Sequence, residues 1–206
     1  MTEKRKRINF VSILAVAVLM LISSISGFAD NISLENAGKS QKESSQILSV
    51  IDCYQKDYFS VIKRNDMFLQ TEDNKTLNKD RKDLNKLYKK VKKQIKNKDY
   101  LKKYNDIQKR YAKCDDETDT GMKEFAFRNY MEADKLLNEV YKEVKSKISQ
   151  EDFTNLTKSE KDWLKNVKDY ENVYSSMDYG TIGTLIYYEY KINMTEFRTL
   201  LLMLYL

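Results

Sequence analysis

The chemistry available to this chain comes mainly from its carboxylates. Its 206 residues include 31 Asp and Glu but no histidine. The commonest general base and the commonest metal ligand are therefore both absent. The sequence also lacks a glycine-rich phosphate loop, a serine-nucleophile motif and a Cys-x-x-Cys pair. Two carboxylates could still act together as acid and base, but no spacing singles out one pair. We therefore expect a protein that is not an enzyme and that has no cofactor.

One acidic stretch, residues 115–121, has the alternating acids of a calcium-binding loop. Gly121 lies one place too late for the sharp turn of such a loop, and Ala126 or Phe127 stands where a bidentate glutamate is needed. We therefore interpret the stretch as a solvated linker and expect no metal site.

The N-terminus has the layout of a secretory signal. Four basic residues, 4–7, precede an uncharged apolar run over 8–25, and the small residues Gly27 and Ala29 follow. We predict that residues 1–29 are a signal peptide, so that the protein is secreted or lies in the cell envelope. The run of 18 residues could instead remain as an uncleaved membrane anchor.

The two cysteines, Cys53 and Cys114, both follow this segment. In an exported protein they could form a disulfide, which would add about 4 kcal/mol in the chain-entropy model. Cys114 also continues the apolar stripe that contains Ile107 and Tyr111, so a buried free thiol at Cys114 is an equal alternative.

Composition predicts an all-α fold, because the chain has no proline and only five glycines. Apolar residues at helical spacing predict one helix over 134–148 and a second over 150–174, joined at Ser149 with Asp152 as a capping partner. We expect these helices to form a hairpin whose apolar faces meet.

The segment 84–95 repeats the pattern of 137–148, with Leu, Asn, Tyr, Val and Ile at matching places. With one residue dropped from the turn, Gln108 aligns with Glu160. This indicates an internal duplication, and the predicted fold is a small bundle of tandem helical hairpins. Chance similarity between two lysine-rich helices is the alternative.

Four regions follow from these patterns: a signal or anchor at 1–29, a flexible lead-in at 30–44, an N-terminal helical region at 45–115 and a C-terminal helical domain at 122–206. We also predict a helix from Ser45 to Leu69, loops over 71–75 and 177–183, and a last helix from Thr184 to Leu204.

The apolar end of the chain, residues 200–206, should pack in the core under the hairpin. Docking on a partner or contact with a membrane surface are the alternatives. We predict that Asp134 or Asn138 meets Arg198 or Thr195 in a buried latch, because buried polar groups need partners.

The net charge of +6 does not indicate a nucleic-acid-binding protein. Residues 1–29 contribute +3 of it, and lysines and acids are mixed along the remaining helices. Basic residues do not cluster on one face, so we expect a solvated lysine surface and no nucleic-acid partner.

Residues 123–206 resemble the LprI-type lysozyme-inhibitor domain family. The family has Asp-x-x-Leu-Asn-x-x-Tyr, then Gln-x-x-Trp, then Thr-x-x-Arg, and Glu160 replaces the Gln in this chain. The family commonly has cysteines roughly where Glu171 and Tyr190 stand. The residues that carry the resemblance, to which we assign a structural role, are Asp134, Leu137, Asn138, Tyr141, Trp163, Thr195 and Arg198.

The resemblance implies a non-catalytic protein that binds a protein partner, such as a lysozyme or another wall hydrolase, and protects the cell envelope. The alternative is a membrane-anchored structural or interaction module of the cell surface without inhibitor activity. In either case the membrane would be contacted only through the N-terminal segment.

Overall fold

The computed structural model describes residues 37–69, 74–116, 118–175 and 180–206, and within these ranges it contains helices and no strand. The predicted all-α fold of helical hairpins is confirmed. The predicted signal segment lies outside the described residues, as do residues 30–36 of the predicted lead-in, 71–73 of the first predicted loop and 177–179 of the second. Among the described helices there is no segment with the length and apolar character of a membrane span.

The helices are α1 (Ala37–Leu69), α2 (Asn74–Gln94), α3 (Lys98–Arg110), α4 (Asp119–Lys147), α5 (Gln150–Ser175) and α6 (Gly180–Leu202), and a 3-10 turn (Met203–Tyr205) follows.

Two helical hairpins, α2–α3 and α4–α5, each turn at a capping side chain. In the first, the Asn97 side chain accepts hydrogen bonds from the amides of Asp99 and Tyr100, both at 3.2 Å. In the second, the amide of Asp152 donates to Ser149 Oγ at 3.1 Å, and the Ser149 hydroxyl donates to the Asp152 carboxylate at 2.7 Å. The predicted cap at Ser149 is confirmed. Each cap satisfies amides that have no partner within the helix, which fixes where the chain reverses.

The C-terminal helix α6 and the residues after it form the centre of the core. Residues 200–203 are fully buried, which confirms the predicted packing of the apolar end. The regions 45–115 and 122–206 share this core and belong to one compact unit that runs from Ala37 to Leu206. At the middle of the repeated pattern the two hairpins are buried alike, since Val91 and Val144 are both fully enclosed, whereas Leu137 is more buried than Leu84 and Ile95 is more buried than Ile148.

Three helices begin earlier than the sequence predicted. Helix α4 begins at Asp119 and not at Asp134, and Tyr130 and Ala133 in this earlier part are buried. Helix α1 begins at Ala37 and not at Ser45, so the predicted flexible lead-in is wrong over 37–44. Its Lys, Gln and Glu residues have good helix propensity, and the buried Ser44 belongs to the packed part of the helix. Helix α6 begins at Gly180 and not at Thr184, and Gly180 has a φ of +56°. Glycine adopts this left-handed conformation without steric cost.

The linker before α4 is held by hydrogen bonds of its own. The Asp116 carboxylate accepts from the Thr118 amide and hydroxyl at 2.9 and 2.7 Å, and Thr118 in turn accepts from the Gly121 amide at 3.1 Å. A Cβ at position 121 would collide with the Asp116 carboxylate. Glycine therefore lets the linker lie close against the first turn of α4.

Candidate functional site

Arg198, near the C-terminal end of α6, is the centre of a buried polar cluster. Its Nε donates to Oε2 of Glu160 at 2.9 Å, and its Nη2 lies 2.8 Å from the same oxygen. Nη1 donates to Oε1 of Gln55 at 2.6 Å, and Nη2 to Oγ of Ser159 at 3.3 Å. Arg198 is 1% exposed. These bonds tie α6 to α1 and α5, and they compensate the charge of a guanidinium that water does not reach.

The predicted latch between Arg198 and Asp134 or Asn138 is wrong. Asn138 Nδ2 donates to the carboxylate of Asp134 at 3.0 Å and to its backbone oxygen at 2.9 Å, so the two residues pair with each other along α4. Arg198 is occupied by residues of α1 and α5 instead. Burial raises the pKa of Asp134, whereas Lys191 and Asn138 act to lower it.

Lys191 of α6 is the counter-charge on this side of the bundle. Its Nζ lies 2.9 Å from Oε1 of Glu171 and 4.4 Å from the centroid of the Tyr130 ring. Burial disfavours the charged ammonium, but Tyr130, Tyr187 and Glu171 together raise the Lys191 pKa. Lys191, and not Arg198, is therefore the cation that interacts electrostatically with Asp134.

The remaining motif residues are part of the core. Leu137, Trp163 and Thr195 are buried, and the backbone oxygen of Thr195 accepts a 2.7 Å hydrogen bond from the hydroxyl of Thr199. Tyr141 is half-buried, with its ring centroid 5.8 Å from that of Phe153. All of these positions support the scaffold, and we find no arrangement among them that could do acid–base chemistry on a bound molecule.

A second buried charge on α6, Glu196, was missed by the sequence reasoning. It is 5% exposed and accepts a hydrogen bond from the Gln108 side chain. Burial raises the Glu196 pKa to about 7, although Gln108, Lys92 and Tyr104 act in the opposite direction. The alignment of Gln108 with Glu160 could have pointed to Glu196. Gln108 binds Glu196 of α6, just as Glu160 binds Arg198 of α6.

Glu196 lies at an open groove of about 470 Å³ between the end of α3, α4 and α6. Asn129 contributes a buried Oδ1 that has no hydrogen-bond partner among the described residues. Glu189 contributes an exposed carboxylate. We call this the Glu196 groove, and its lining residues are Gln108, Tyr111, Ala112, Phe125, Ala126, Asn129, Leu185, Glu189, Ile192, Asn193 and Glu196.

The two cysteines are free thiols in the structure. The disulfide that the sequence allowed is not present in the structure, and the alternative of a buried thiol at Cys114 is also wrong. Cys53 is exposed and Cys114 is partly exposed. Cys114 does not continue the apolar stripe because α3 ends at Arg110, and its Sγ donates to the backbone oxygen of Asp116 at 3.1 Å.

No group of three or more Cys, Asp and Glu side chains in the described part of the chain could hold a metal ion.

A family match covers the C-terminal hairpin, α4–α5, and helix α6. Residues 112–202 match the family model "Lysozyme inhibitor LprI". We call these residues the LprI-like region; they contain α4, α5, α6, Arg198 and most of the Glu196 groove. No curated protein and no solved structure matches the chain.

The LprI-like region differs in charge from the rest of the chain. It contains 18 acidic and 13 basic residues, whereas residues 30–111 contain eight more basic than acidic residues. The excess positive charge of the whole protein is therefore located outside the LprI-like region.

Within the LprI-like region, noncovalent contacts join α5 and α6 near Glu171 and Tyr190. Glu171 pairs with Lys191, and the Tyr170 and Tyr190 rings lie 5.2 Å apart. An ion pair and a ring contact therefore connect these two helices here.

Proposed function

We propose that this protein is an exported, non-catalytic binding protein that inhibits a lysozyme or a related wall hydrolase through its LprI-like region. The match of residues 112–202 to the lysozyme-inhibitor family carries the proposal. The signal-like layout of residues 1–29 supports export, because a wall hydrolase acts outside the cytoplasm.

Charge supports the choice of partner. A chain with a net charge of +6 would be repelled by a cationic lysozyme if its charge were evenly spread. The LprI-like region has five more acidic than basic residues, so its own field attracts a cation. The Glu160–Arg198 cluster keeps α5 and α6 in register and is consistent with a rigid binding surface that loses little conformational entropy on association.

The test is a titration of cell-wall lysis. Purified protein is added to several lysozymes, and the rate of lysis of cell walls is followed by turbidity. We expect lysis by at least one lysozyme to fall in proportion to added protein until the two are equimolar. Unchanged lysis by every lysozyme at high molar excess would reject the inhibitor function. The protein alone should cause no lysis, and measurable lysis would reject its non-catalytic nature.

The apolar run over 8–25 supports a second candidate, a membrane-anchored interaction module of the cell surface. Cell fractionation separates the two forms. An intact N-terminus in the membrane fraction, together with no effect on any lysozyme, would favour the module over the secreted inhibitor.

A further inference from the structure

We propose that the Glu196 groove binds a protonated lysine or arginine side chain of the partner protein. The proposal rests on the inhibitor function above, because a cationic lysozyme presents such side chains. It goes further in naming the surface and the chemical group that is recognised.

The described residues that line the groove offer oxygen acceptors and no cation, and Lys92, whose charge acts on Glu196, is not among them. The unpartnered Oδ1 of Asn129 is buried in its wall. Glu189 makes no ion pair with any described residue, and Glu196 lies in the groove with a hydrogen bond from the neutral Gln108. None of the described residues that line the groove is basic. A buried acceptor without a partner costs free energy, and a donor that enters the groove would remove that cost.

The rest of the wall suits the stem of a long cationic side chain. Leu185 and Ile192 are apolar, and the Tyr111 and Phe125 rings lie 5.2 Å apart. Apolar side chains pack on the methylenes of lysine or arginine, and aromatic faces attract the charged end. A volume of about 470 Å³ is enough for one such side chain together with its neighbours in a loop of the partner.

A second groove, between α1 and α2, serves as the contrast. It has a volume of about 260 Å³, and it contains Lys86 and Lys90 beside the acidic Asp57 and Asp83. Lys86 Nζ lies 3.3 Å from the carboxylate of Asp83. This groove already contains its own cations, whereas the Glu196 groove does not.

The experiment measures lysozyme binding to the full chain by calorimetry, with two groove variants and one control. Glu189→Gln removes an exposed carboxylate of the groove, and Asn129→Leu removes the unpartnered oxygen. Glu124→Gln makes the same charge change at an exposed position of α4 that does not line the groove. Circular dichroism establishes that each variant is folded.

We expect each groove variant to weaken lysozyme binding by tenfold or more and the control to stay within twofold of the original chain. If the original chain binds lysozyme and all variants bind equally well, the groove is not the recognition site, whereas the inhibitor function stands.

If the original chain binds no lysozyme, the inhibitor function fails and the groove is tested by itself. The probe is then Nα-acetyl-arginine methylamide, titrated into the full chain, with the side-chain amide resonance of Asn129 as the readout. A saturable shift that Glu189→Gln weakens would retain the groove as a site for cationic side chains. No shift at millimolar probe would overturn it.

Discussion

The two hairpins contact the same helix, α6, with opposite chemistry. In the α2–α3 hairpin, the neutral amide of Gln108 donates to the buried acid Glu196. In the α4–α5 hairpin, the carboxylate of Glu160 accepts from the buried base Arg198. Positions 108 and 160 are equivalent in the proposed duplication. The residue at this place in the repeat therefore matches the charge that it meets on α6: it is a donor opposite the acid and an acceptor opposite the base.

The two buried charges also differ in how completely they are compensated. Arg198 has a carboxylate, an amide and a hydroxyl as partners. Glu196 accepts a hydrogen bond from the neutral Gln108, and Tyr104 and Lys92 also act to lower its pKa, but no cation forms an ion pair with it among the described residues and it borders an open groove. We therefore assign Arg198 to the scaffold and the surroundings of Glu196 to recognition.

The largest effect is expected from Arg198→Met, which removes the base and leaves Glu160 buried without a counter-charge. Removal of one partner of a buried pair costs about 3–5 kcal/mol of unfolding free energy. Urea unfolding measures the change. Lys161→Met, at an exposed position of α5, is the control and should change the free energy by less than about 0.5 kcal/mol. A loss below about 1 kcal/mol for Arg198→Met would mean that the cluster does not hold the helices together.

Glu196→Gln should raise stability, but only at neutral and alkaline pH. The folded-state pKa is raised to about 7 from the usual 4.5, so the folded chain binds a proton more tightly than the unfolded chain does. The stabilisation from the protonated acid is complete below pH 4.5 and is lost as the pH rises through 7. The corresponding gain for the variant above pH 8 is at most about 3 kcal/mol.

The groups that face Glu196 are Lys92 and Tyr88 from α2, Tyr104 and Gln108 from α3, and Tyr58 from α1. None of them changes in the variant, so the pH effect is attributable to the carboxyl group. Unfolding free energies at pH 4, 6 and 8 test this. A difference between the two proteins that is constant with pH would contradict the proposed environment of Glu196.

Glu160→Gln exchanges the acid of the second hairpin for the amide that occupies the equivalent place in the first. The amide oxygen can still accept from Arg198, but the guanidinium loses its only carboxylate partner among the described residues. We expect a loss of about 2 kcal/mol, smaller than for Arg198→Met, because hydrogen bonds to a charged group contribute about 1.5–3 kcal/mol each. Thermal and urea unfolding measure it. Equal losses for the two variants would show that charge, and not hydrogen bonding, dominates the cluster.

The smallest effects are expected at the two hairpin turns. Ser149→Ala and Asn97→Ala each remove a helix cap and should each cost about 1 kcal/mol. Unfolding midpoints measure both losses. The two should be similar, because each side chain caps the first turn of the second helix of its hairpin. A loss at one turn alone would indicate that the other hairpin is held by its packing.

The sequence predicted local features well, because these depend on neighbours along the chain. The spacing from Leu137 to Ile148 gave the apolar face of α4, and Ser149 with Asp152 gave the cap. The partners of Arg198 could not be predicted. Gln55 lies 143 residues away, and nothing in the sequence distinguishes it from the other polar residues of the helices. The Glu196 groove was missed for the same reason, since three separate helices form it.

Recognition of lysozyme at the Glu196 groove can be measured by hydrogen–deuterium exchange of the full chain, with and without an inhibited lysozyme. We expect lysozyme to slow exchange in residues 108–129 and 185–196, which include the residues that line the Glu196 groove, and to leave exchange in α1 and α2 unchanged. Protection confined to α1 and α2, or no protection anywhere, would contradict the claim that the acidic C-terminal half is the surface that recognises a cationic partner.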